Sequence, residues 1–126
     1  MAEMLSLIAV VDDDSSMREA MKGLMRAVGF SVETFTSAES FLESADLFQI
    51  ACLVADANLP GISGLELHHH LMANAINIPT IIITAYPRED LRSSSQDSGV
   101  LAYLVKPLIQ DDLLSYVRSA LDTKTS

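Results

Sequence analysis

Cys52-Leu53-Val54-Ala55-Asp56-Ala57-Asn58-Leu59-Pro60-Gly61 runs a short apolar segment into one carboxylate and then directly into a turn. An apolar run that stops at an acid followed by Pro-Gly reads as a buried strand delivering one charged group to its exit. In a parallel sheet that exit is where ligands bind. On its own the pattern also fits an Asp that merely caps backbone or sits in water. The other strand exits decide between these readings.

Leu7-Ile8-Ala9-Val10-Val11 is continuous, partly β-branched, and ended by Asp12-Asp13-Asp14, which predicts a buried central strand. Ser31 to Phe35 alternates with period two and reads as an outer strand. Thr80 to Ala85 is a third buried run that ends near a hydroxyl, and Val100 to Val105 is a last strand running into Lys106-Pro107. Helical patterns fall between them: Met17 to Val28, Ser37 to Ala45, Ser63 to Asn74, Arg88 to Ser98, and Asp111 to Leu121. Ser15 or Ser16 is the expected first cap, Ser16 forming a capping box with Glu19, and Gly29 is the stop. Met17, Met21 and Met25 line one edge of an apolar arc of about 140° and read as core. Ser93-Ser94-Ser95 is poor helix material, so the fourth helix is expected to be short or mobile.

Five strands alternating with five helices predict a doubly wound α/β domain with a five-stranded parallel sheet. In the 2-1-3-4-5 order, strands one and three flank the switch-point crevice. Asp12-Asp13 and Asp56 then become neighbours, with Thr84 and Lys106 on the far side. His68, His69 and His70 point about 100° apart on a helix, cannot converge on one metal, and are expected to be mostly solvated.

The 126 residues fit one domain, expected to span residues 1–122 with a polar tail or linker at 123–126. The composition, 49% hydrophobic and 20% charged, is globular, and the apolar runs reach only about six residues against the ~20 of a membrane span. Leu5 to Val11 has no basic region before it, so no signal peptide is read and a cytoplasmic location is expected. Cys52, the single cysteine, reads as a small core residue. A net charge of −9 excludes direct nucleic-acid binding by this domain.

In this order, the acid pair, Asp-x-x-Leu-Pro-Gly, Thr-Ala and Lys-Pro resemble a response-regulator receiver domain of the CheY-like superfamily over about Leu7 to Leu121. Phe35-Thr36-Ser37-Ala38-Glu39-Ser40-Phe41-Leu42 and Ile76 to Thr84 are similar to the FixJ-like subgroup. The resemblance implies a flavodoxin-like (βα)5 fold. Asp56 would be the phosphoryl acceptor, Asp12 and Asp13 would hold Mg²⁺ or Mn²⁺ with Asp56, and the Asn58 backbone carbonyl would join them. Thr84 and Tyr103 would be the switch pair, Lys106 would contact the phosphoryl group, and Pro107 would follow a cis bond. The partners implied are a sensor histidine kinase, a DNA-binding effector domain controlling transcription, and a dimer through the face of helix 4, strand 5 and helix 5. Tyr86-Pro87 after the switch Thr and the Ser-rich fourth helix depart from the family pattern.

A carboxylate is a poor nucleophile toward an anionic phosphoryl group, and a divalent ion bridging the two removes that obstacle. Two rival readings exist. A haloacid-dehalogenase-type phosphatase would use Asp12 as nucleophile, but its usual Gly-Thr is absent. An interaction module of the same fold would never be phosphorylated. A flavodoxin-type cofactor site is disfavoured because three acids occupy the loop where a phosphate cradle needs backbone donors.

Overall fold

The computed structural model describes residues 7–44 and 46–125. Five strands, β1 (Leu7–Val11), β2 (Ser31–Phe35), β3 (Ile50–Asp56), β4 (Thr80–Thr84) and β5 (Ala102–Val105), form one parallel sheet in the order β2-β1-β3-β4-β5. Between and after them run α1 (Ser15–Ala27), α2 (Ala38–Ser44), a 3₁₀ turn at Leu47–Gln49, α3 (Gly64–Ala73), α4 (Glu89–Asp97) and α5 (Gln110–Thr125). The chain is thus the doubly wound domain that the alternation of patterns predicts.

Strand composition follows position. β3 and β4 are buried at every residue, as continuous apolar runs covered on both faces must be, whereas edge strand β2 alternates. The period-two pleat sorts the interior into two cores. On one face Ile8, Val10, Cys52, Val54, Ile81 and Ile83 pack with Met21 and Met25 of α1 and Leu113 and Val117 of α5. On the other, Ala9, Val11, Leu53, Ala55, Ile82 and Tyr103 pack with Phe41 of α2 and Leu67 and Leu71 of α3. The methionine stripe is therefore core, and Cys52 is fully buried, its thiol pushed up to about 12 by that burial.

Local signals held in part. Gly29 ends α1 with φ +93°, and the Gly29 and Phe30 amides close the last turn onto Arg26 and Met25. The first cap is Asp14, not Ser15 or Ser16: its Oδ1 accepts from the amides of Ser16 (2.9 Å) and Met17 (3.4 Å). Asp14 itself is extended and α1 begins at Ser15, two residues earlier than a Ser16 cap would allow. The capping box instead opens α3, where Ser63 and Glu66 bond each other's backbone amides.

His68 corrects the expectation of a solvated triplet. It lies on the inward face of α3 beside Leu67 and Leu71 and is 2% exposed, while His69 and His70 are exposed. Its Nε2 donates to the Ser98 carbonyl (2.9 Å), and its Nδ1 meets the Thr80 hydroxyl (3.2 Å). α4 is short, at nine residues, and tolerates its serines because buried Ser95 donates its hydroxyl back to the Leu91 carbonyl (2.8 Å). α5 runs as far as Thr125, through most of the expected polar tail; Ala45, Ser126 and residues 1–6 lie outside the described residues.

Candidate functional site

The carboxyl ends of β1, β3, β4 and β5 bring Asp12, Asp56, Thr84 and Lys106 to one edge of the sheet. β1 pairs with β3 in register Val11↔Ala55, so Asp12 and Asp56 leave adjacent strands at the same height. Asp12 is held there by its own backbone. Its amide donates to the Phe35 carbonyl (3.1 Å), and its carbonyl accepts from Arg18 Nη1 of α1 (2.7 Å). Gly64 opens α3 directly over β3: a Cβ there would come within 2.5 Å of the Asp56 carbonyl oxygen, so only glycine permits this approach.

Asp56 is nearly buried and fully engaged. Its Oδ1 accepts from the Asn58 amide (2.7 Å) and its Oδ2 from Lys106 Nζ (2.9 Å). Asp12 is wholly buried. Its Oδ1 accepts from the Asp14 amide (2.9 Å), but its Oδ2 accepts no hydrogen bond and has only the charge of Lys106 Nζ at 3.5 Å, too long for a good bond. Burial therefore raises the Asp12 pKa above the ordinary carboxylate value, and the Asp56 charge adds to the rise; the Asp14 amide and Lys106 oppose it. For Lys106, burial works against the ammonium, yet the Asp56 hydrogen bond and the charges of both acids outweigh it and hold its pKa above the ordinary lysine value.

Carboxylate oxygens of Asp12, Asp13 and Asp56 lie within 4.8 Å of one another, with Asp13 exposed. Three hard oxygen donors, one of them buried without a hydrogen bond, fit a magnesium-like ion that keeps several waters. The residues present therefore suit the cation expected from the acid pair.

A profile of the response regulator receiver domain matches residues 8–118. The chain belongs to that family. The receiver is 32% identical to the response regulator protein TodT of Pseudomonas putida over 121 residues, covering 96% of this chain and 53% of TodT. It is 32% identical to the transcriptional regulatory protein FixJ of Bradyrhizobium diazoefficiens, covering 90% of this chain and 56% of FixJ. The solved structure of the response regulator StyR superposes with a TM-score of 0.88 at 38% identity, over 94% of this chain and 60% of that one. The chain thus spans about half the length of the curated relatives it matches.

The expected switch pair, Thr84 and Tyr103, makes its hydrogen bonds to groups other than the Asp56 carboxylate. The Thr84 hydroxyl is buried and accepts from Asn58 Nδ2 (3.0 Å) and the Tyr86 amide (3.0 Å). Tyr103, 9% exposed, faces the second core; its hydroxyl accepts from the Arg88 amide (3.4 Å), and the Arg92 guanidinium lies 5.0 Å from its ring centre. A cavity of about 310 Å³ beside it is lined by Ala57, Leu65, Ile82 and Leu91 among others. The Lys106–Pro107 bond is cis. Three contributors escape sequence reasoning: Arg18, the Asp14 amide, and the Asn58 side chain. The first two are contacts of Asp12 from within six residues of it, and a capping acid two residues on could have flagged one of them. The Asn58–Thr84 bond spans 26 residues and leaves no local signal.

Proposed function

We propose that this receiver accepts a phosphoryl group on Asp56 from a sensor histidine kinase and passes the change to an output, transcription through a DNA-binding domain. The support is one observation: the carboxylate at the end of β3 is paired at 2.9 Å with a lysine, beside a buried carboxylate oxygen that accepts no hydrogen bond. Relatives named as transcriptional regulators, about twice as long, support the output. Residues 1–122 would be the receiver unit and 123–126 the start of the connection. The domain would act in the cytoplasm; among the described residues no helix is long and apolar enough to cross a membrane.

In this reading Asp12, Asp13 and Asp56, with the Asn58 carbonyl, would hold Mg²⁺ or Mn²⁺, which would supply charge neutralisation between acceptor and donor. Asp56 Oδ attacks the phosphorus, the bond to the donor imidazole nitrogen breaks, and the imidazole leaves with the bonding pair. Lys106 turns from Asp56 toward the new phosphoryl oxygens and stabilises their charge. The Asn58 amide keeps the acceptor carboxylate oriented.

Thr84 then donates to a phosphoryl oxygen, which contributes roughly 1.5–3 kcal/mol. Reversing a two-state equilibrium from about 1:99 to 99:1 takes about 5.5 kcal/mol, so Lys106 and repacking of Tyr103 share the work. Acetyl phosphate with Mg²⁺ should add one phosphoryl group by intact mass, and EDTA should prevent it. Absence of uptake would favour a never-phosphorylated interaction module.

A further inference from the structure

Among the described residues, Asn58 alone hydrogen-bonds both the Asp56 carboxylate and the Thr84 hydroxyl. Its backbone amide donates to Asp56 Oδ1 at 2.7 Å, and its side-chain amide donates to Thr84 Oγ1 at 3.0 Å. The second bond crosses from the β3–α3 loop to the end of β4, between residues 26 apart. A hydroxyl has two acceptor positions and one proton. On Thr84 both acceptor positions are taken, by Asn58 and by the Tyr86 amide, and the hydroxyl is buried.

We propose that the Asn58 side chain is a latch: it holds the Thr84 hydroxyl in the unphosphorylated arrangement and must let go before Thr84 can turn to the phosphoryl group. The inference rests on the proposed role of Asp56 and goes beyond it by giving Asn58 a function through its side chain, separate from any contact its carbonyl makes with a cation. Asn58 is thus a positioning residue acting through Thr84.

The position of the latch ties it to the event it restrains. Asn58 lies two residues after Asp56 and bonds its carboxylate directly, so modification of that carboxylate acts on the same residue that grips Thr84. Asn58 is exposed, and the bond is between two neutral groups on one side of the loop, so its strength is that of a modest, half-buried hydrogen bond. Such a bond shifts a two-state equilibrium by roughly threefold to tenfold. The latch therefore biases the resting state without locking it. A ligand that selects a sparsely populated state has its apparent affinity reduced by that population, and loosening the latch returns part of the loss.

Asn58→Ala isolates the latch, because alanine keeps the backbone amide that orients Asp56 and removes only the side chain. Its exposed position predicts a retained fold, with Tm lower by roughly 2–6 °C for the one bond lost. The probe is beryllofluoride, a non-transferable mimic of the phosphoryl group, titrated with Mg²⁺ into full-length chains and followed by the backbone amide signals of Thr84 and Tyr86. Asn58→Ala should bind it roughly threefold to tenfold more tightly than the wild type. In a Thr84→Ala background, the same Asn58→Ala change should have no effect on affinity.

Unchanged or weaker binding by Asn58→Ala overturns the latch, as does an equal gain with Thr84 absent, which would mean Asn58 acts on the ligand directly. Failure of the wild type itself to bind beryllofluoride would overturn the reading of Asp56 as acceptor, and the latch with it.

Discussion

Lys106→Met should destabilise the metal-free domain by roughly 2–4 kcal/mol at neutral pH, a loss set by how deeply its two partners lie. The ammonium is 2.9 Å from Asp56 Oδ2 and 3.5 Å from Asp12 Oδ2, and the Asp12 and Asp56 side chains are only 0% and 8% exposed. At an effective dielectric of about 20 each contact is worth roughly 5 kcal/mol before desolvation. Desolvation cancels most of that, and removing one partner of a buried pair typically costs about 3–5 kcal/mol because the other charge is stranded. The lysine side chain is 18% exposed, so water can reach the vacated space and the cost falls to about 2–4 kcal/mol. For a domain of this size that is a Tm lower by about 8–16 °C.

Urea or thermal unfolding in EDTA, read by circular dichroism, measures the loss. Two companions make it specific. In the double-mutant cycle with Asp56→Asn, the two changes should couple by more than about 1 kcal/mol, since each removes one end of the same bond. The deficit should also shrink on acidification, because Asp12, already raised in pKa by its burial, takes up a proton and relieves the stranded charge. A loss below about 0.5 kcal/mol, or additivity within about 0.3–0.5 kcal/mol in the cycle, would refute the claim that Lys106 holds the acid pair together.

Other outcomes follow from the same structure. Gly23 in α1 has nothing within 4 Å of an added Cβ, so Gly23→Ala should stabilise by about 0.5–1 kcal/mol, whereas Gly64→Ala meets the Asp56 carbonyl and should destabilise by about 1–3 kcal/mol. Both are read by urea unfolding, and only Gly64→Ala should also slow phosphoryl uptake. Because the Cys52 thiol is held near 12 while an unfolded thiol ionises near 9, the native state keeps a proton that the unfolded state loses. Stability should therefore fall by about 1 kcal/mol as pH rises from about 9 to 10, below the range where Lys106 contributes, and Cys52→Ala should flatten that slope. With Asp12 raised, the metal-free native state binds more protons than the unfolded one above about pH 3.9, so ionising Asp12 costs stability as pH rises. Mg²⁺ should offset that cost, by about 2.7 kcal/mol at a hundredfold excess over Kd, and EDTA should remove the gain; Asp12→Asn should be more stable than the wild type without metal and respond less to it.

The sheet is legible in the chain because each central strand is covered on both faces, which forces continuous apolar runs such as Ile50 to Ala55, and because each run stops where a functional group begins. Strand order alone makes Asp12 and Asp56 neighbours and leaves Lys106 on the far side; its 2.9 Å contact with Asp56, 50 residues away, comes from the reach of the lysine side chain, whereas the burial of Cys52 is legible in its apolar run. What escapes is set by contacts between distant segments. His68 looks like one of three equivalent polar residues, and only the Ser98 carbonyl and the Thr80 hydroxyl, contributed by other elements, make its burial tolerable. Asp14 looks surplus until the chain's extended exit from β1 makes it the cap. Asn58 is legible as a loop residue near the acceptor, but its grip on Thr84 depends on how two strand exits face each other in three dimensions.

The central claim is that Asp56 carries the phosphoryl group. After incubation with acetyl phosphate and Mg²⁺, borohydride reduction of the acyl phosphate followed by peptide mass mapping locates the modified side chain. The account predicts conversion at Asp56 and no label in Asp56→Asn; label at Asp12, as a phosphatase nucleophile would give, would contradict it.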